Sequence, residues 1–360
     1  MSREICMKMD NSERKKLNTK ILGTEAGDIA QAAAIIRRGG LVAFPTETVY
    51  GLGADALNAQ AAADIYAAKG RPSDNPIIVH IARASDMGRL TPMLSADIVA
   101  LIENFWPGPL TMVVRKKPEV PDRTTGGLDT VAVRMPDSKA ALDLITMADT
   151  PIAAPSANIS GRPSPTRAKD VIADMDGRID AIIQGDDCRV GIESTVVDMT
   201  GSVPTILRPG IITAENIEAA LGKEVRYDEA LLKDGKLFDL DPNAGAAEVD
   251  GFKPKSPGMK YRHYAPKAQM TIIEGRRDKV KSEIERVKML NERLGLKVGV
   301  ILFEEKAFIE AAHDFFAKLR DLDNEEVDLI LAGALSDTDG VGFAVMNRML
   351  KSAGYNIVRV

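Results

Sequence analysis

Two cations stand close together in the segment KGRPSDNPIIVH, residues 69–80, which runs from a predicted helix into a predicted strand. Residues two apart in an extended chain point to the same side, so Lys69 and Arg71 are predicted to face one ligand. With Ser73 and Asn75 as further donors, such a pair suits a polyphosphate, although a solvated basic loop is the alternative. His80, at the end of the strand, is typical of a satisfied core histidine.

Hydroxyl and carboxylate side chains crowd the segment PTETVYGLGADA, residues 45–56. Gly51, Gly53 and Ala56 fit the loose G-x-G-x-x-A pattern of dinucleotide-binding turns, although glycines that only permit a tight turn give the same pattern. Asn58 and, further along, Ser95 are predicted N-caps of helices. A polar pocket wall is favoured over a plain turn by the side chains of Thr46, Glu47, Thr48 and Tyr50.

Small hydroxyl and amide residues with repeated prolines follow an apolar strand end in APSANISGRPSPT, residues 154–166. Its backbone amides and the side chains of Ser156 and Asn158 can hold phosphate oxygens without adding charge. A buried ordinary loop is the alternative. The sequence has no G-x-S-x-G, no G-x-x-x-x-G-K-S/T and no H-E-x-x-H, which excludes a serine hydrolase elbow, a P-loop and a zincin site.

Further candidates lie nearer the C terminus. TVAVRMP contains Arg134, GIESTVVDMT contains Ser194, and ILRPG contains Arg208 beside a glycine turn. Arginines at strand ends can clamp a carboxylate or a phosphate with two hydrogen bonds, although a single arginine is more often a surface ion-pair partner. SPGMKYRHYAP, residues 256–266, concentrates tyrosines, cations and prolines that a flexible spacer does not need, and it is predicted to dock on a site.

Composition limits the class of protein. With 360 residues and 45% hydrophobic content, the chain exceeds the ~250 to 300 residues at which a single core stops growing, so two domains are predicted. A formal net charge of -5 gives no overall attraction to nucleic acid or to an anionic membrane. Two cysteines, Cys6 and Cys188, and three histidines argue against a disulfide framework and a zinc cluster. Without a signal-peptide pattern or an apolar run near ~20 residues, a cytoplasmic protein with no membrane span is predicted.

Two α/β units are predicted to position these residues. Over about 20–227, short β-type runs alternate with helix-like stretches, which predicts one mixed α/β domain. The runs are LVAF, PIIVHI, LTMVV, TVAV, AIIQ, STVVD and TILR, and the stretches include 27–38 and 58–69. Residues 228–256 lose periodicity and begin a linker. Beyond it, strands alternate with helices predicted near 277–294, 305–319, 324–332 and 341–353, an order that favours a small parallel sheet.

Together these motifs resemble the threonylcarbamoyl-AMP synthase family in its two-domain, YrdC-like form. The resemblance rests on PTETVYGLG, K-x-R from Lys69 with SDNP after it, S-x-N from Ser156, ESTVVD from Glu193, RPG from Arg208, and SPGMKYRHYAP. It is dense over about 25–227 and looser beyond. It implies an α/β fold with a twisted mixed-sheet YrdC-like domain and a concave active-site surface (20–227), a linker with a lid segment (228–267), and a smaller Rossmann-like parallel-sheet domain (268–360).

The resemblance also implies roles for particular residues. The threonine pocket would be lined by Thr48, His80, Arg134, Ala154 and Ser194. ATP would be met by Lys69, Arg71, Asn75, Thr130, Ser156, Asn158, Ser164 and Arg208, with Lys69, Arg71, Ser156 and Asn158 as the catalytic set. A linker tyrosine, either Tyr261 or Tyr264, would reach the nucleotide. Where relatives often have Asp-Gly-Gly before ESTVVD, this chain has Gln184, Gly185 and Asp186, which leaves the local turn open.

The implied reaction joins L-threonine, bicarbonate or CO2 and the AMP part of ATP into threonylcarbamoyl-AMP and releases pyrophosphate. ATP is then a substrate, Mg²⁺ bridges its phosphates, and no metal site made of protein ligands alone is expected. The product would pass to a downstream threonylcarbamoyl transferase complex that modifies the adenosine beside the tRNA anticodon. Two alternatives stay open. One is carbamoyl-adenylate chemistry of the hydrogenase-maturation type, whose zinc fingers two cysteines cannot supply, and the other is an RNA-binding module without adenylyl transfer.

Overall fold

Short strands build the larger of two sheets. The computed structural model describes residues 17–231, 264–335 and 340–360. Within these ranges one mixed sheet of 11 strands has the order β1-β8-β2-β3-β7-β4-β6-β5-β9-β10-β11. Its strands are β1 Lys20–Leu22, β2 Val42–Phe44, β3 Gly51–Asp55, β4 Ile78–His80, β5 Leu110–Arg115, β6 Thr130–Arg134, β7 Ile152–Ala153, β8 Ala181–Ile183, β9 Thr195–Asp198, β10 Thr205–Arg208 and β11 Arg226–Tyr227. The β-type runs of the sequence all form strands, as predicted.

Helices connect these strands and pack on both faces of the sheet. They are α1 Ala26–Arg37, α2 Ala59–Lys69, α3 Ala96–Phe105, α4 Asp122–Thr125, α5 Lys139–Ala148, α6 Ala168–Met175 and α7 Ala214–Leu221, with a 3-10 helix at Ala84–Arg89. The predicted N-caps are confirmed, because the side chains of Asn58 and Ser95 accept hydrogen bonds from amides of the following turn. Val42 and Phe44 pack with α1 on one face, whereas Ala43 packs with α2 on the other, as the two-residue period of a strand requires.

Both interpretations of Gly51 and Gly53 as turn glycines are wrong. The two residues lie in β3, which pairs antiparallel with β2 so that Gly51 faces Phe44 across the ladder. A Cβ on Gly53 would lie 2.7 Å from the Phe44 ring and 2.8 Å from the Ile152 side chain. This glycine therefore lets a buried ring lie against the strand backbone. Residues 45–50 form the connection of a hairpin instead of a dinucleotide-binding turn.

A second sheet follows the linker and confirms the predicted parallel unit, which we call the C-terminal unit. Among the described residues its strands have the order β13-β14-β12-β15, and every pair is parallel. The strands are β12 Gln269–Glu274, β13 Val298–Ile301, β14 Leu329–Gly333 and β15 Ile357–Arg359, and the helices are α8 Arg277–Arg293, α9 Phe308–Asn324 and α10 Val341–Ala353. No helix in the described part of the chain is long and apolar enough to cross a bilayer.

The predicted helix near 324–332 is wrong. One helix, α9, extends to Asn324, and Leu329–Gly333 forms β14, which lies between β13 and β12. A strand covered on both faces is apolar throughout, and a short apolar run of this kind has no periodicity that separates it from a buried helix. The neighbouring strands decided its conformation.

The C-terminal unit packs directly against loops of the large unit. Val49 and Ile192, from two loops of the large unit, belong to the same apolar cluster as Phe315 of α9. Gly191 has a φ of 84°, and a Cβ there would lie 2.3 Å from the carbonyl oxygen of His313. The loop before β9 therefore lies against α9 with no room for a side chain.

Candidate active site

A cavity lies at the edge of the large sheet where several strands end. β4 and β6 are parallel neighbours, and their last residues, His80 and Arg134, are register partners. Ala154 follows β7, the other neighbour of β4, and its amide donates to the Ile78 carbonyl. The empty volume, mouth included, is about 580 Å³. The predicted site residues that line it are Thr48, Arg71, His80, Arg134, Ala154, Ser156, Arg208 and Tyr264.

We call Thr48, His80, Arg134 and Ala154 the sheet wall, because strand ends and the β2–β3 connection hold them. The buried Arg134 guanidinium donates to the Thr48 hydroxyl at 2.9 Å. It also lies 2.7 Å from the buried Glu47 carboxylate, an ion pair without hydrogen-bond geometry. Because a buried charge needs a partner, this pair fixes the arginine at the cavity. The wall can therefore bind a small ligand that carries a carboxylate and a hydroxyl.

His80 is neutral at physiological pH. It is 4% exposed, and burial together with the nearby charge of Arg134 lowers its pKa to about 3. Its ring meets that of Phe44 edge to face, with centroids 6.1 Å apart. The buried Nδ1 has no hydrogen-bond partner within the described residues. The imidazole is buried, as expected of a core histidine, and backbone groups of Ile152 and Ile78 lie near enough to oppose the lowering of its pKa. Its Nδ1 nevertheless lacks a hydrogen bond of normal geometry, which a ligand can supply.

Lys69 is not among the lining residues. It ends α2, and Gly70 turns the chain with a φ of 65°. The prediction that Lys69 and Arg71 face one ligand from an extended segment is therefore wrong. The buried Lys69 ammonium donates to the carbonyls of Ser156 and Asn158, and burial lowers its pKa well below the usual range. Arg71 does line the cavity. In this structure Lys69 therefore shapes the loop that presents Ser156.

We call Glu193, Arg208 and Tyr264 the junction wall, because they lie where the C-terminal unit meets the large sheet. The buried Arg208 guanidinium, at the end of β10, donates to the carbonyl and the hydroxyl of Ser194 at 3.0 and 3.1 Å. The Glu193 carboxylate accepts a hydrogen bond from Ser164 at 2.6 Å and is hydrogen-bonded to the Tyr264 hydroxyl. Ser194 and Ser164 therefore hold Arg208 and Glu193, and these two charged residues line the cavity.

The junction wall carries ionised groups. Burial alone would raise the pKa of Glu193, but the charges of Arg348 and Arg208 hold it below its usual range. Burial lowers the pKa of Arg208 to about 10, and Glu193 opposes this shift. Burial raises the pKa of Tyr264 to about 12. At neutral pH the wall thus presents a carboxylate, a guanidinium and a neutral phenol, and the guanidinium suits an anionic ligand.

Some predicted site residues lie outside the lining. They are Lys69, Asn75, Thr130, Asn158, Ser164 and Ser194. Thr130 begins β6, four residues before Arg134, which at ~3.3 Å per residue is ~13 Å along the strand. Asn75 is buried, and its Oδ1 has no hydrogen-bond partner among the described residues. Tyr261 lies outside the described residues, as does most of the predicted lid.

Sequence reasoning missed two charged residues of the site. Glu193 lines the cavity, and its place at the head of ESTVVD was the available signal. Arg348, from α10, donates to the Glu193 carboxylate at 3.2 Å. No local motif marks Arg348, because its partner lies 155 positions away in the chain. The sequence did not decide the turn at Gln184, Gly185 and Asp186. In the structure the Gly185 carbonyl accepts a hydrogen bond from the Tyr50 hydroxyl at 3.0 Å.

Two family descriptions match the sequence. Residues 34–210 match a family described as "Telomere recombination", and residues 212–354 match "Threonylcarbamoyl-AMP synthase, C-terminal domain". The second match covers the linker and the C-terminal unit. This second match favours the threonylcarbamoyl-AMP synthase hypothesis over the hydrogenase-maturation alternative, because that alternative rests on likeness in the large unit alone.

Curated relatives match over nearly the whole chain. The threonylcarbamoyl-AMP synthase of Pyrococcus abyssi is 46% identical, over 93% of this chain and 97% of its own length. That of Bacillus subtilis is 44% identical, over 95% of this chain and 97% of its own length. The crystal structure of P. abyssi Sua5 complexed with L-threonine superposes with a TM-score of 0.86 at 46% identity, and the match covers 95% of this chain and 100% of that chain.

Proposed function

Because this chain belongs to the threonylcarbamoyl-AMP synthase family, we propose that it makes threonylcarbamoyl-AMP from L-threonine, bicarbonate or CO2 and ATP, with release of pyrophosphate. One observation carries the proposal: Thr48, His80 and Arg134 meet on one wall of a cavity that Arg71 and Arg208 also line. Such a cavity offers polar partners for an amino acid beside cations for a triphosphate.

The sheet wall is the proposed threonine pocket. The Arg134 guanidinium suits the threonine carboxylate, and the Thr48 hydroxyl and the unsatisfied His80 Nδ1 suit its hydroxyl or amine. Since the ion pair with Glu47 already fixes Arg134, binding needs little rearrangement of the arginine. The L-threonine in the P. abyssi Sua5 crystal structure supports this choice of amino acid.

The proposed nucleotide side consists of Arg71, Ser156, Arg208 and Tyr264. The two arginines would neutralise triphosphate oxygens. The Ser156 hydroxyl, which donates to the Asn158 Oδ1 at 2.5 Å in this structure, would turn to donate to a phosphate oxygen without adding charge. Of the two candidate linker tyrosines we assign Tyr264 to the nucleotide, because it lines the cavity and is 7% exposed. Its ring can cover an adenine or ribose face.

Mg²⁺ is proposed to arrive bound to the triphosphate. A hard divalent cation keeps phosphate oxygens and waters as ligands and takes few protein carboxylates. The carboxylate that lines the cavity, Glu193, is paired with Arg348, and the carboxylate behind the sheet wall, Glu47, is paired with Arg134. These residues do not fit a resident metal.

The reaction requires alignment more than covalent catalysis. The threonine amine takes up CO2 with loss of a proton to solvent, or bicarbonate with loss of water, and forms an N-carboxylate. One oxygen of this carbamate attacks the α-phosphorus of ATP, the bond to the β,γ-diphosphate breaks, and pyrophosphate leaves with the electron pair. The protein's contribution is to hold the reactants together and to present Arg71 and Arg208 to the phosphate charge.

The product is a labile mixed anhydride, so we propose that it passes to a downstream transferase that modifies the adenosine beside the tRNA anticodon. A cytoplasmic location and any direct contact with RNA stay predictions.

Mass spectrometry tests the proposal directly. The protein is incubated with ATP, Mg²⁺, bicarbonate and each amino acid in turn, and the mixture is searched for acylated AMP. We expect threonylcarbamoyl-AMP with threonine, and no product when bicarbonate or ATP is left out. RNA binding with steep salt dependence but no ATP turnover would favour the RNA-binding alternative instead.

A further inference from the structure

A buried arginine of the C-terminal unit reaches the junction wall. Arg348, on α10, is 0% exposed, and its Nε donates to the Glu193 carboxylate at 3.2 Å. Its other guanidinium nitrogens donate to the backbone carbonyls of Glu193, at 3.4 Å, and of Pro209, the residue after Arg208. Arg348 therefore holds the two chain segments that present Glu193 and Arg208, although it does not itself line the cavity.

The charges of this cluster do not cancel. Arg208 and Arg348 contribute two positive charges and Glu193 one negative charge, so one net positive charge remains beside the cavity. Without the charge of Arg348, the Glu193 carboxylate would be balanced by Arg208. Attraction between a buried carboxylate and a nearby guanidinium is strong, so Arg208 would be drawn towards Glu193. The positive charge that a polyanion needs would then be lost.

We propose that Arg348 is a positioning residue of the active site, contributed by the C-terminal unit, which holds Glu193 so that Arg208 and Tyr264 stay aligned for a bound triphosphate. The inference rests on the proposed function, because ATP is the ligand. Arg348 acts through Glu193, whose carboxylate is also hydrogen-bonded to Tyr264. The C-terminal unit thereby becomes part of the nucleotide side of the site.

If Arg348 only joined the two units, its loss would weaken their docking and nothing more. Arg167 is a matched control for this purely structural role. Arg167 of the large unit donates to the Asp321 carboxylate at 2.7 and 2.8 Å and to the Ala317 carbonyl at 3.2 Å, both in α9. These contacts also cross between the units, and Arg167 is not among the lining residues. Weaker docking alone should affect variants of both arginines alike.

The test compares Arg348→Gln, Arg348→Lys and Arg167→Gln in the full chain, by initial rates of pyrophosphate release at varied ATP and at varied threonine. Arg348→Gln should lower kcat/KM for ATP by roughly 10- to 100-fold, because Arg208 and Tyr264 would no longer be aligned for the triphosphate. KM for threonine should change less than about threefold, because the contacts of the sheet wall remain. Arg348→Lys, which keeps the charge, should lose less. Arg167→Gln should stay near the wild type.

A double variant separates the two roles of the arginine. In Glu193→Gln/Arg348→Gln the carboxylate that attracts Arg208 is removed as well, so the combined loss in free energy should be smaller than the sum of the single losses. Additive losses would overturn the proposal. So would a rate for Arg348→Gln that is no lower than that of Arg167→Gln.

Circular dichroism and thermal unfolding show whether each variant folds, and if Arg348→Gln does not, Arg348→Lys with and without Glu193→Gln gives the same comparison. Calorimetric titration with ATP runs in parallel, and Arg348→Gln should bind ATP roughly tenfold more weakly. A wild type that binds ATP but forms no threonylcarbamoyl-AMP would overturn the proposed function. Unchanged ATP affinity in Arg348→Gln, with an active wild type, would overturn only the role of Arg348.

Discussion

The two walls of the cavity are assembled in different ways. The sheet wall takes its residues from one sheet, where His80 and Arg134 end neighbouring strands. The junction wall draws on three regions of the chain. Glu193, before β9, and Arg208, at the end of β10, belong to the large unit, Tyr264 lies at the end of the linker, and the supporting Arg348 belongs to α10. The sheet wall can therefore form with the large sheet, whereas the junction wall is complete only after the C-terminal unit docks.

Their charges differ as well. In the sheet wall Arg134 is balanced by Glu47 and His80 is neutral, so the charges cancel. At the junction wall Arg208 and Arg348, the buried support behind the wall, share the Glu193 carboxylate, and one positive charge remains beside the cavity. A wall without net charge suits a zwitterionic amino acid, and a positive wall suits a polyanion. This difference in charge explains how one cavity can direct the proposed amino acid to the sheet wall and the proposed triphosphate to the junction wall.

The largest effect should come from the choice of amino acid at the sheet wall. Valine should react with a kcat/KM roughly 10⁴-fold below that of threonine, because a buried partner of the hydroxyl would be left unpaired. Serine loses only methyl contacts, so its loss should be about 10- to 200-fold. Acylated AMP is quantified by mass spectrometry with each amino acid. If valine reacted as well as serine, the sheet wall would not be the threonine pocket.

A large effect is also expected on the nucleotide side. Arg71→Ala should lower turnover by roughly 10²-fold or more, the cost of losing a preorganised electrostatic donor. Arg115→Ala is the control, because Arg115 pairs with the exposed Asp129 at the surface. Pyrophosphate release is measured for both variants after their folding is checked. Near-normal turnover of Arg71→Ala would remove Arg71 from the nucleotide side and leave Arg208 of the junction wall as the cation proposed to meet the triphosphate.

The neutral state of His80 predicts how stability depends on pH. The folded pKa of about 3 lies below the unfolded value of 6.5, so the unfolded state binds more protons between these values, and stability is lost as pH falls from 6.5 towards 3. His80→Gln removes this titration. Between pH 6.5 and 5, the free energy of unfolding of the wild type should fall relative to His80→Gln by up to about 1.4 kcal/mol per pH unit. Urea unfolding of both proteins at several pH values measures the difference, and a constant difference would contradict a neutral buried His80.

A smaller effect is expected from Tyr264→Phe, which keeps the ring and removes the hydroxyl bonded to Glu193. A hydrogen bond to a charged group contributes about 1.5 to 3 kcal/mol, which corresponds to roughly 10- to 150-fold, and because phenylalanine keeps the ring we expect KM for ATP to rise by roughly 10-fold, the lower end of this range. KM for threonine should hardly change, because the hydroxyl belongs to the junction wall. Steady-state kinetics with each substrate varied separates the two constants. Equal changes in both would show that the walls do not act independently.

Local patterns in the sequence determined most of the secondary structure and much of the cavity lining. Asn58 and Ser95 cap their helices as predicted, because an N-cap needs only its own side chain and the next turn. The alternation of strands and helices after the linker predicted a parallel sheet, which the structure has. The motif segments around Thr48 and Ser156 do supply lining residues.

Tertiary structure decided what depends on neighbours far away in the chain. Gly53 lies in a strand because β3 pairs with β2 and β7, and Leu329–Gly333 is a strand because β12 and β13 flank it. Lys69 points to the carbonyls of a loop 87 and 89 residues away. Arg348 meets Glu193 across 155 residues. Periodicity and capping act within one or two turns of a helix or a few residues of a strand. The position of a buried charge is set by the order of the sheet and by the docking of the two units, and no local window of sequence contains either.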